Sequence, residues 1–195
     1  MKGKLYIISG QSGVGKNTIL KAILEKHPEF HRVVTFTTRD PRPEEIPGED
    51  HFFVYPEKFQ EMIENGEFIE SAEVHGEMYG TPKKQIEEAL KAGENALMEI
   101  DVQGATQIKK ILPEAILLFL KYEEGDLEEL IRRRIARDPK RGKTSEEEIQ
   151  RRLQSAQKEA EYEKYYDYAI VNPEGHPEKA IEEIEKIIKN KEEDK

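Results

Sequence analysis

Cysteine is absent from this sequence of 195 residues. Its absence excludes disulfides, thiolate metal sites and cysteine nucleophiles, and it is compatible with a reducing cytoplasm. Long apolar runs are missing too, and the N-terminal run covers only Leu5–Ile8. A membrane-spanning helix needs about 20 apolar residues, so this run is too short to form one. That run is also shorter than the apolar core of a signal peptide. We therefore expect a soluble, cytoplasmic protein without a membrane partner.

Basic residues are in the minority, since 31 Lys and Arg stand against 41 Asp and Glu and the net charge is −10. A chain of this charge repels nucleic-acid backbones at long range, so we expect no nucleic-acid partner. A small anion can still bind wherever arginines cluster. Repeats and Gly/Ser linkers are also missing, and the length suits one compact unit. We infer no obligatory protein partner.

Strands and helices are predicted in alternation. Lys4–Ser9 has the pattern of a short buried strand, and Lys16–Lys26 carries apolar residues at helical spacing. After a middle region the alternation resumes with the strand Ala96–Asp101 and ends with the helix Pro177–Lys189. Continuous apolar strands separated by helices predict an α/β fold with helices on both faces of a parallel sheet. The polar residues 190–195 are expected to be a disordered tail.

The middle region, residues 35–92, breaks this alternation. Prolines and a glycine punctuate its first part, and two short strands are predicted over Phe68–Glu70 and Ala72–His75. Gly80–Pro82 is predicted as a junction into the next helix. We expect this region to be a small lobe inserted into the core. The core then consists of residues 1–34 and 93–195.

A phosphate-binding loop follows the first predicted strand. The segment Gly10–Lys16 has the spacing G-x-x-x-x-G-K and opens the first helix. Its glycines let backbone N–H groups point at phosphate oxygens, and the helix N-terminus adds partial positive charge. Lys16 is expected to reach the β and γ phosphates; a plain glycine turn is the alternative. The predicted ATP-binding residues here are Gly10, Gln11, Ser12, Gly13, Val14, Gly15, Lys16, Asn17 and Thr18.

Asn17 departs from the usual loop pattern, in which a Ser or Thr hydroxyl after the lysine binds Mg²⁺. An amide oxygen can also ligate Mg²⁺, directly or through water. We therefore expect Asn17 to make a weakened metal contact, with Mg²⁺ arriving together with ATP.

A second anion site is indicated by Arg39 and Arg42, which lie three residues apart beside prolines. Paired guanidinium groups suit a doubly charged phosphate monoester. Two solvated surface arginines are the alternative. The N-K-x-D motif that GTPases use to select guanine is absent.

Six stretches in order resemble the guanylate kinase family, and the likeness runs from Leu5 to about Ile187. They are Ser9–Lys16, Thr37–Arg42, Gly66–Glu70, Tyr79–Thr81, Glu99–Gly104 and Val171–Asn172. The resemblance implies a P-loop NTPase-type fold with an inserted GMP-binding lobe and a mobile lid at about 134–150. It also implies Mg²⁺-dependent transfer of the γ-phosphoryl group of ATP to GMP, and to dGMP, in purine nucleotide metabolism.

The resemblance assigns base recognition to Glu70. Guanine presents a ring N–H and an NH₂ group side by side, and one carboxylate can accept both. Such a site should reject adenine, because the mismatch leaves buried polar groups unpaired. Thr35 and Thr81 match hydroxyl positions near the base. Taken without the flanking motifs, Glu70 would be an edge-strand surface acid.

The resemblance also implies the residues around the GMP phosphate and sugar. Arg39, Arg42 and Tyr79 match the phosphate clamp, and His51 stands where the family has a second tyrosine. A histidine N–H can still donate to phosphate and would make binding pH-sensitive near neutrality; a mere strand residue is the alternative. Asp101, expected to end its strand, matches an acid near Mg²⁺ and the GMP sugar.

Basic residues concentrate between Arg132 and Lys143, in the predicted lid. The resemblance selects Arg134, Arg141 and Arg152 as catalytic residues that act with Lys16 on the transferring phosphate, although Arg137 is an alternative to Arg141. Asn172 matches a residue near the adenine of ATP.

Two rival functions are a scaffold module that has lost catalysis and a related kinase acting on ribosyl phosphates.

Overall fold

The computed structural model describes residues 3–43, 45–74, 76–136 and 145–193. Within these ranges the strands are β1 (Leu5–Gly10), β2 (His31–Arg32), β3 (Phe36–Thr37), β4 (Phe52–Phe53), β5 (Phe68–Val74), β6 (Glu77–Pro82), β7 (Ala96–Glu99), β8 (Ile116–Lys121) and β9 (Tyr168–Val171). The helices are α1 (Lys16–Lys26), α2 (Pro56–Glu64), α3 (Lys83–Ala92), α4 (Val102–Ile111), α5 (Leu127–Ala136), α6 (Glu146–Ala160) and α7 (Pro177–Glu193).

The larger sheet has the strand order β2-β7-β1-β8-β9. Its outer pairs, β2 with β7 and β8 with β9, are parallel. The strands β1 and β8 are almost wholly buried, as continuous apolar runs in a parallel sheet should be. The predicted α/β class with a parallel central sheet is confirmed.

The chain divides into two compact units. The first contains the residues up to Ile7 and Pro28–Ile116, and the second contains Ile8–His27 and the chain from Leu117 onward. The strand β1 therefore contributes residues to both.

The first unit carries a second, four-stranded sheet in the order β4-β3-β6-β5. All four strands lie inside the segment predicted as an inserted lobe. Two predictions about its strands are wrong. The two pieces of strand near residue 70 form the single strand β5, and Gly80–Pro82 belongs to its antiparallel partner β6.

Gly80 explains the second of these errors. A Cβ atom at this position would lie 3.0 Å from the rings of Phe59 and Phe68. Those two rings contact each other in a tilted arrangement with 4.8 Å between centroids, and Phe36 packs on Phe68 at 5.7 Å. Gly80 therefore makes room for an aromatic core inside a strand and does not mark a turn.

A third difference concerns Asp101. The strand β7 ends at Glu99, and Asp101 is the N-cap of α4, with its side chain accepting a hydrogen bond from the Gly104 N–H. An aspartate suits this position because its carboxylate satisfies an unpaired N–H of the first helical turn.

The second unit contains α1, α5, α6 and α7 beside the strands β8 and β9. The helix α7 buries Ala180, Ile184, Ile187 and Ile188 at helical spacing. It continues to Glu193, past the predicted end at Lys189, so the predicted disordered tail begins within this helix. Among the helices of the described ranges, none is long and apolar enough to cross a membrane.

Candidate active site

The phosphate loop lies between β1 and α1, where it was predicted. Gly10, Gly13 and Gly15 have positive φ angles of 137°, 78° and 100°. At Gly10 a Cβ atom would lie 2.0 Å from the carbonyl oxygen of Leu120, so the backbones of the two strands need a glycine there. Gly15 is the N-cap of α1 and has no side chain with which to cap the first helical N–H groups. Those groups are left to bind an anion.

Lys16 folds over this loop. Its Nζ donates to the carbonyl oxygens of Gly10 and Gln11, at 2.9 Å and 3.2 Å. The ammonium group thus holds the curved backbone, and it lies on the side of the helix N-terminus to which phosphate oxygens would be drawn.

Two side chains that the sequence did not single out for this role fix the loop. The buried Gln11 accepts a hydrogen bond from the Tyr122 N–H at 2.7 Å and donates to the carbonyl of Ala156 at 3.3 Å. The Tyr122 hydroxyl donates to the carbonyl of Ser12 at 2.9 Å. The loop is therefore anchored both to the residue that follows β8 and to α6.

Asn172 and Glu159 anchor the other parts of the loop. The Asn172 amide, 3% exposed, donates to the carbonyl of Val14 at 2.7 Å. Glu159 on α6 accepts a hydrogen bond from the Ser12 N–H. The structure therefore gives the Asn172 side chain a loop-positioning contact, whereas its predicted place near adenine stays a prediction.

Arg152 is the one predicted lid arginine whose side chain lies in the described part of the chain. On α6 it pairs with Glu148 at 2.9 Å and is 16% exposed. A Cβ atom at Gly13 would lie 3.3 Å from the Nη1 of Arg152, so this guanidinium group sits beside the phosphate loop. Arg134 lies on α5, but its side chain, like the whole of Arg137 and Arg141, lies outside the described residues.

Oxygen donors suitable for Mg²⁺ occur at both predicted positions. Asn17 and Thr18 are exposed in the first turn of α1, directly after Lys16. Asp101 keeps one carboxylate oxygen on the Gly104 N–H at 2.8 Å. Within the described ranges no group of three or more His, Cys, Asp or Glu could hold a metal. Each of these side chains, taken by itself, has the hard oxygen donor that Mg²⁺ prefers, and this ion usually takes its other ligands from phosphates and water.

In the first unit, Arg39 is held by a carboxylate that sequence analysis missed. Its two Nη atoms donate to the two Glu45 carboxylate oxygens at 2.7 Å and 2.6 Å. Its Nε donates to the Tyr79 hydroxyl at 3.1 Å. Burial alone would raise the pKa of Glu45, but hydrogen bonds from Arg39 and from the Arg42 N–H outweigh it and lower that pKa. Glu45 is thus a carboxylate between the two predicted clamp arginines.

The two arginines differ in exposure. The Arg39 side chain is 13% exposed, whereas that of Arg42 is 58% exposed. The alternative of two solvated surface arginines is therefore wrong for Arg39. The sequence signal for Glu45 was available, because it lies three residues after Arg42 in the same proline-rich segment.

His51 lies beside this pair. Its Nδ1 is 2.8 Å from the hydroxyl oxygen of the buried Thr35, and its ring meets that of Tyr79 edge-on at 5.9 Å. Burial, reinforced by the positive charge of Arg39, lowers the pKa of His51 to about 4. The expectation that His51 titrates near neutrality is therefore wrong: the ring is neutral there and has one N–H to donate.

Glu70 lies on β5 opposite Thr81 on β6, and the two side chains are joined. The Thr81 hydroxyl donates to the Glu70 carboxylate at 2.5 Å, and Glu70 is only 7% exposed. Burial, with a further contribution from the charge of Asp101, raises the pKa of Glu70 to about 7. Glu70 is therefore not a surface acid, and a buried carboxylate with a raised pKa is a candidate for a functional group.

The fold and these two anion-binding arrangements, one in each unit, define a nucleoside-monophosphate kinase of the P-loop class. The sequence profile of the guanylate kinase family matches residues 2–191. The chain belongs to the guanylate kinase family.

Individual relatives agree with this assignment. The chain is 43% identical over 188 residues to the guanylate kinase of Nostoc sp., covering 95% of this chain and 89% of that one. It is 43% identical over 187 residues to that of Clostridioides difficile, covering 96% and 87%. The crystal structure of guanylate kinase from Anaplasma phagocytophilum superposes with a TM-score of 0.77 at 29% identity, covering 97% of this chain and 86% of that one. The resemblance inferred from the six stretches is confirmed.

Proposed function

We propose that this chain transfers the γ-phosphoryl group of ATP to GMP, and to dGMP, giving ADP and GDP or dGDP. The observation that carries the proposal is the buried Glu70 carboxylate, joined to Thr81 in the same small sheet that positions Arg39 and Tyr79. Segment 35–92 is the proposed GMP-binding lobe, segments 1–34 and 93–195 the core, and about 134–150 the lid.

Base recognition falls to Glu70. As a carboxylate it accepts the ring N–H and the NH₂ group of guanine, and adenine lacks this pair of donors. Thr81, which is fully buried, holds the carboxylate, and Thr35 supplies a second hydroxyl near the base. A buried acceptor with no donor opposite it is costly, so adenine is rejected through the mismatch.

The phosphate of GMP is bound by Arg39, Arg42, Tyr79 and the N–H of His51. Arg39 offers a fixed positive charge and Arg42 a solvent-exposed one, and two such charges suit a phosphate monoester dianion. Asp101 binds near the GMP sugar.

The transfer step needs no covalent intermediate. An oxygen of the GMP phosphate attacks the γ-phosphorus of ATP, the new P–O bond forms, and the bond to the β–γ bridging oxygen breaks, leaving ADP. Lys16 and Arg152 stabilise charge on the moving phosphoryl group, with Arg134 and Arg141 supplied by the lid. Asn172 lies near the adenine of ATP. Lid closure excludes water, which would otherwise hydrolyse ATP.

The proposed Mg²⁺ contact uses the chain's own oxygen donors. Asn17 would hold the ion directly or through water, with Asp101 as a second contact through water. When bound, Mg²⁺ neutralises phosphate charge. The cytoplasmic location and the absence of nucleic-acid, membrane and obligatory protein partners remain proposals of the same kind.

A coupled assay that follows ADP release tests the function. ATP with GMP or dGMP should give rapid release, and ATP with AMP or ribosyl phosphates should give almost none. Absence of turnover with GMP would favour a scaffold module that has lost catalysis. Faster turnover with ribosyl phosphates than with GMP would favour a related kinase acting on those substrates. In the same assay, an Asn17→Ser variant with an unchanged Mg²⁺ dependence would remove Asn17 from the metal site.

The KM for GMP should depend on pH, because only the ionised Glu70 accepts both guanine donors. The pKa of Glu70 is raised from 4.5 to about 7, so the carboxylate becomes protonated as the pH falls through about 7. The KM should then rise roughly tenfold per pH unit below that value, since each unit lowers the ionised fraction tenfold. His51, with a pKa of about 4, stays neutral over this range and contributes no change.

The GMP phosphate itself titrates at about pH 6, so the profile needs a matched control. A Glu70→Gln variant retains the substrate titration and lacks that of the carboxyl group. The ratio of the KM of the wild type to that of Glu70→Gln at each pH should therefore report the titration of the Glu70 carboxyl group alone. A ratio that stays constant from pH 5.5 to about 8 would contradict an ionised Glu70 as the base-reading group.

The same shift has a consequence for stability. Since the pKa of Glu70 in the folded state lies above its usual value of 4.5, its contribution to the free energy of unfolding is fully present below pH 4.5. That contribution is lost as the pH rises through about 7. At pH 7 about half of the molecules therefore contain the ionised, destabilising form of this carboxylate, and at pH 8 most of them do.

A further inference from the structure

Gly104 is a glycine in a place that disfavours glycine. It lies in the first turn of α4, is buried, and is not among the glycines with a positive φ angle. Any residue can adopt its backbone conformation, and glycine is the weakest helix former after proline. The backbone therefore gives no reason for a glycine here, so the reason lies in the space around it.

That space is taken by Glu70. A Cβ atom at residue 104 would lie 2.8 Å from the Glu70 Oε2, 3.1 Å from its Cδ and 3.3 Å from the Cδ1 of Ile100. Carbon and oxygen atoms that are not bonded do not approach to 2.8 Å without strain. A methyl group at this position would therefore have to displace the carboxylate.

Both partners of this contact are anchored. The α4 side is fixed because the Gly104 N–H donates to the Asp101 carboxylate at 2.8 Å. The β5 side is fixed because the Thr81 hydroxyl donates to the other carboxylate oxygen of Glu70 at 2.5 Å. Neither side can yield without losing a hydrogen bond, and that of Glu70 is buried. An added methyl group would therefore turn the Glu70 carboxylate away from its present direction.

We infer that Gly104 determines substrate specificity: its missing side chain leaves the space in which the Glu70 carboxylate points at the guanine edge. This inference rests on the proposed function and adds a residue that is not among the proposed catalytic or binding residues. Gly104 is a positioning residue that acts through Glu70.

The test is the Gly104→Ala variant, assayed with GMP, with IMP and with ATP. IMP keeps the ring N–H of guanine and lacks the NH₂ group, so the preference for GMP over IMP reports the second hydrogen bond to Glu70. The KM for GMP should rise at least about tenfold, because a misdirected acceptor loses a charge-assisted hydrogen bond. The preference for GMP over IMP should fall, whereas the KM for ATP should change by less than about twofold.

Gln103→Ala is the matched control. Gln103 lies in the same helical turn and is exposed. Its replacement by alanine changes the helix propensity of this turn and adds no atom near Glu70. Its kinetics should equal those of the wild type. The melting temperature of Gly104→Ala should fall by about 5 °C or less, because the gain in helix propensity offsets part of the strain from the added methyl group.

A second variant separates positioning from packing. Glu70→Asp withdraws the carboxylate by one methylene and should give the added methyl group room. In that background Gly104→Ala should raise the KM for GMP by less than about threefold, so the two changes should not be additive. Unchanged GMP kinetics in Gly104→Ala, or additive effects with Glu70→Asp, would overturn the inference. Wild-type protein without GMP kinase activity would instead refute the proposed function itself.

Discussion

Glutamine in place of Glu70 should lower kcat/KM for GMP by about a hundredfold or more and shift the base preference towards adenine. The variant keeps the shape of the side chain and can still accept from the Thr81 hydroxyl, which donates to Glu70 at 2.5 Å. Its amide, however, presents one donor and one acceptor, whereas guanine presents two donors. One guanine donor would then face an N–H group in a buried site, at a cost of about 1–3 kcal/mol or more.

The measurement is kcat/KM for GMP and AMP at pH 8, where Glu70 of the wild type is ionised. Glu73→Gln is the control, because Glu73 lies on the same strand, is exposed, and undergoes the same change of charge. It should behave as the wild type does. If Glu70→Gln preferred GMP over AMP as strongly as before, the assignment of base recognition to Glu70 would be wrong.

Methionine in place of Lys16 should lower kcat by about a thousandfold. The ammonium group contacts the loop carbonyls of Gly10 and Gln11 at 2.9 Å and 3.2 Å, at the start of α1 and beside the proposed phosphate site. Its positive charge would oppose the charge that develops on the transferring group. Methionine is an unbranched side chain one atom shorter than lysine, so it keeps most of the length and removes that charge.

Lys26→Met is the control for Lys16→Met. Lys26 lies at the other end of α1, is half exposed, and pairs with Glu185 at 2.9 Å on the surface. An exposed pair of this kind contributes about 0–1 kcal/mol to stability, and its loss should leave turnover unchanged. Retention by Lys16→Met of more than about a tenth of wild-type turnover would contradict a role for Lys16 in the chemical step.

Local patterns predicted the phosphate loop and the main sheet well. Gly10, Gly15 and Lys16 lie within seven residues of one another, so the local sequence is enough to predict where the loop begins and ends. The continuous apolar strands likewise specify a parallel sheet without reference to distant residues.

Features that depend on contacts between distant residues were not predictable in this way. Tyr122 reaches the loop from a position 110 residues beyond Ser12, and nothing in its local sequence indicates that contact. The pKa of His51 depends on burial that only the fold creates. Gly80–Pro82 was predicted as a junction into the next helix, because the rings that require a glycine at position 80 come from α2 and β5.

Asp101 lies between these cases. Aspartate before a helix is a common N-cap, and the Gly104 N–H that it accepts from lies three residues on. The sequence therefore contained a capping signal. It was missed because the apolar run Ala96–Met98 led to a strand predicted as far as Asp101, two residues beyond its end at Glu99.

The Arg39 side chain has a thermodynamic consequence for nucleotide binding. A freely rotating arginine side chain has roughly 2 kcal/mol of rotamer entropy. This entropy is ordinarily lost when the side chain binds a ligand, and the loss weakens binding. Contacts with Glu45, Tyr79 and the carbonyl of Asp40 have already removed most of that freedom during folding. An incoming phosphate meets a rigid guanidinium group, and of the two clamp arginines only the solvent-exposed Arg42 must still be immobilised.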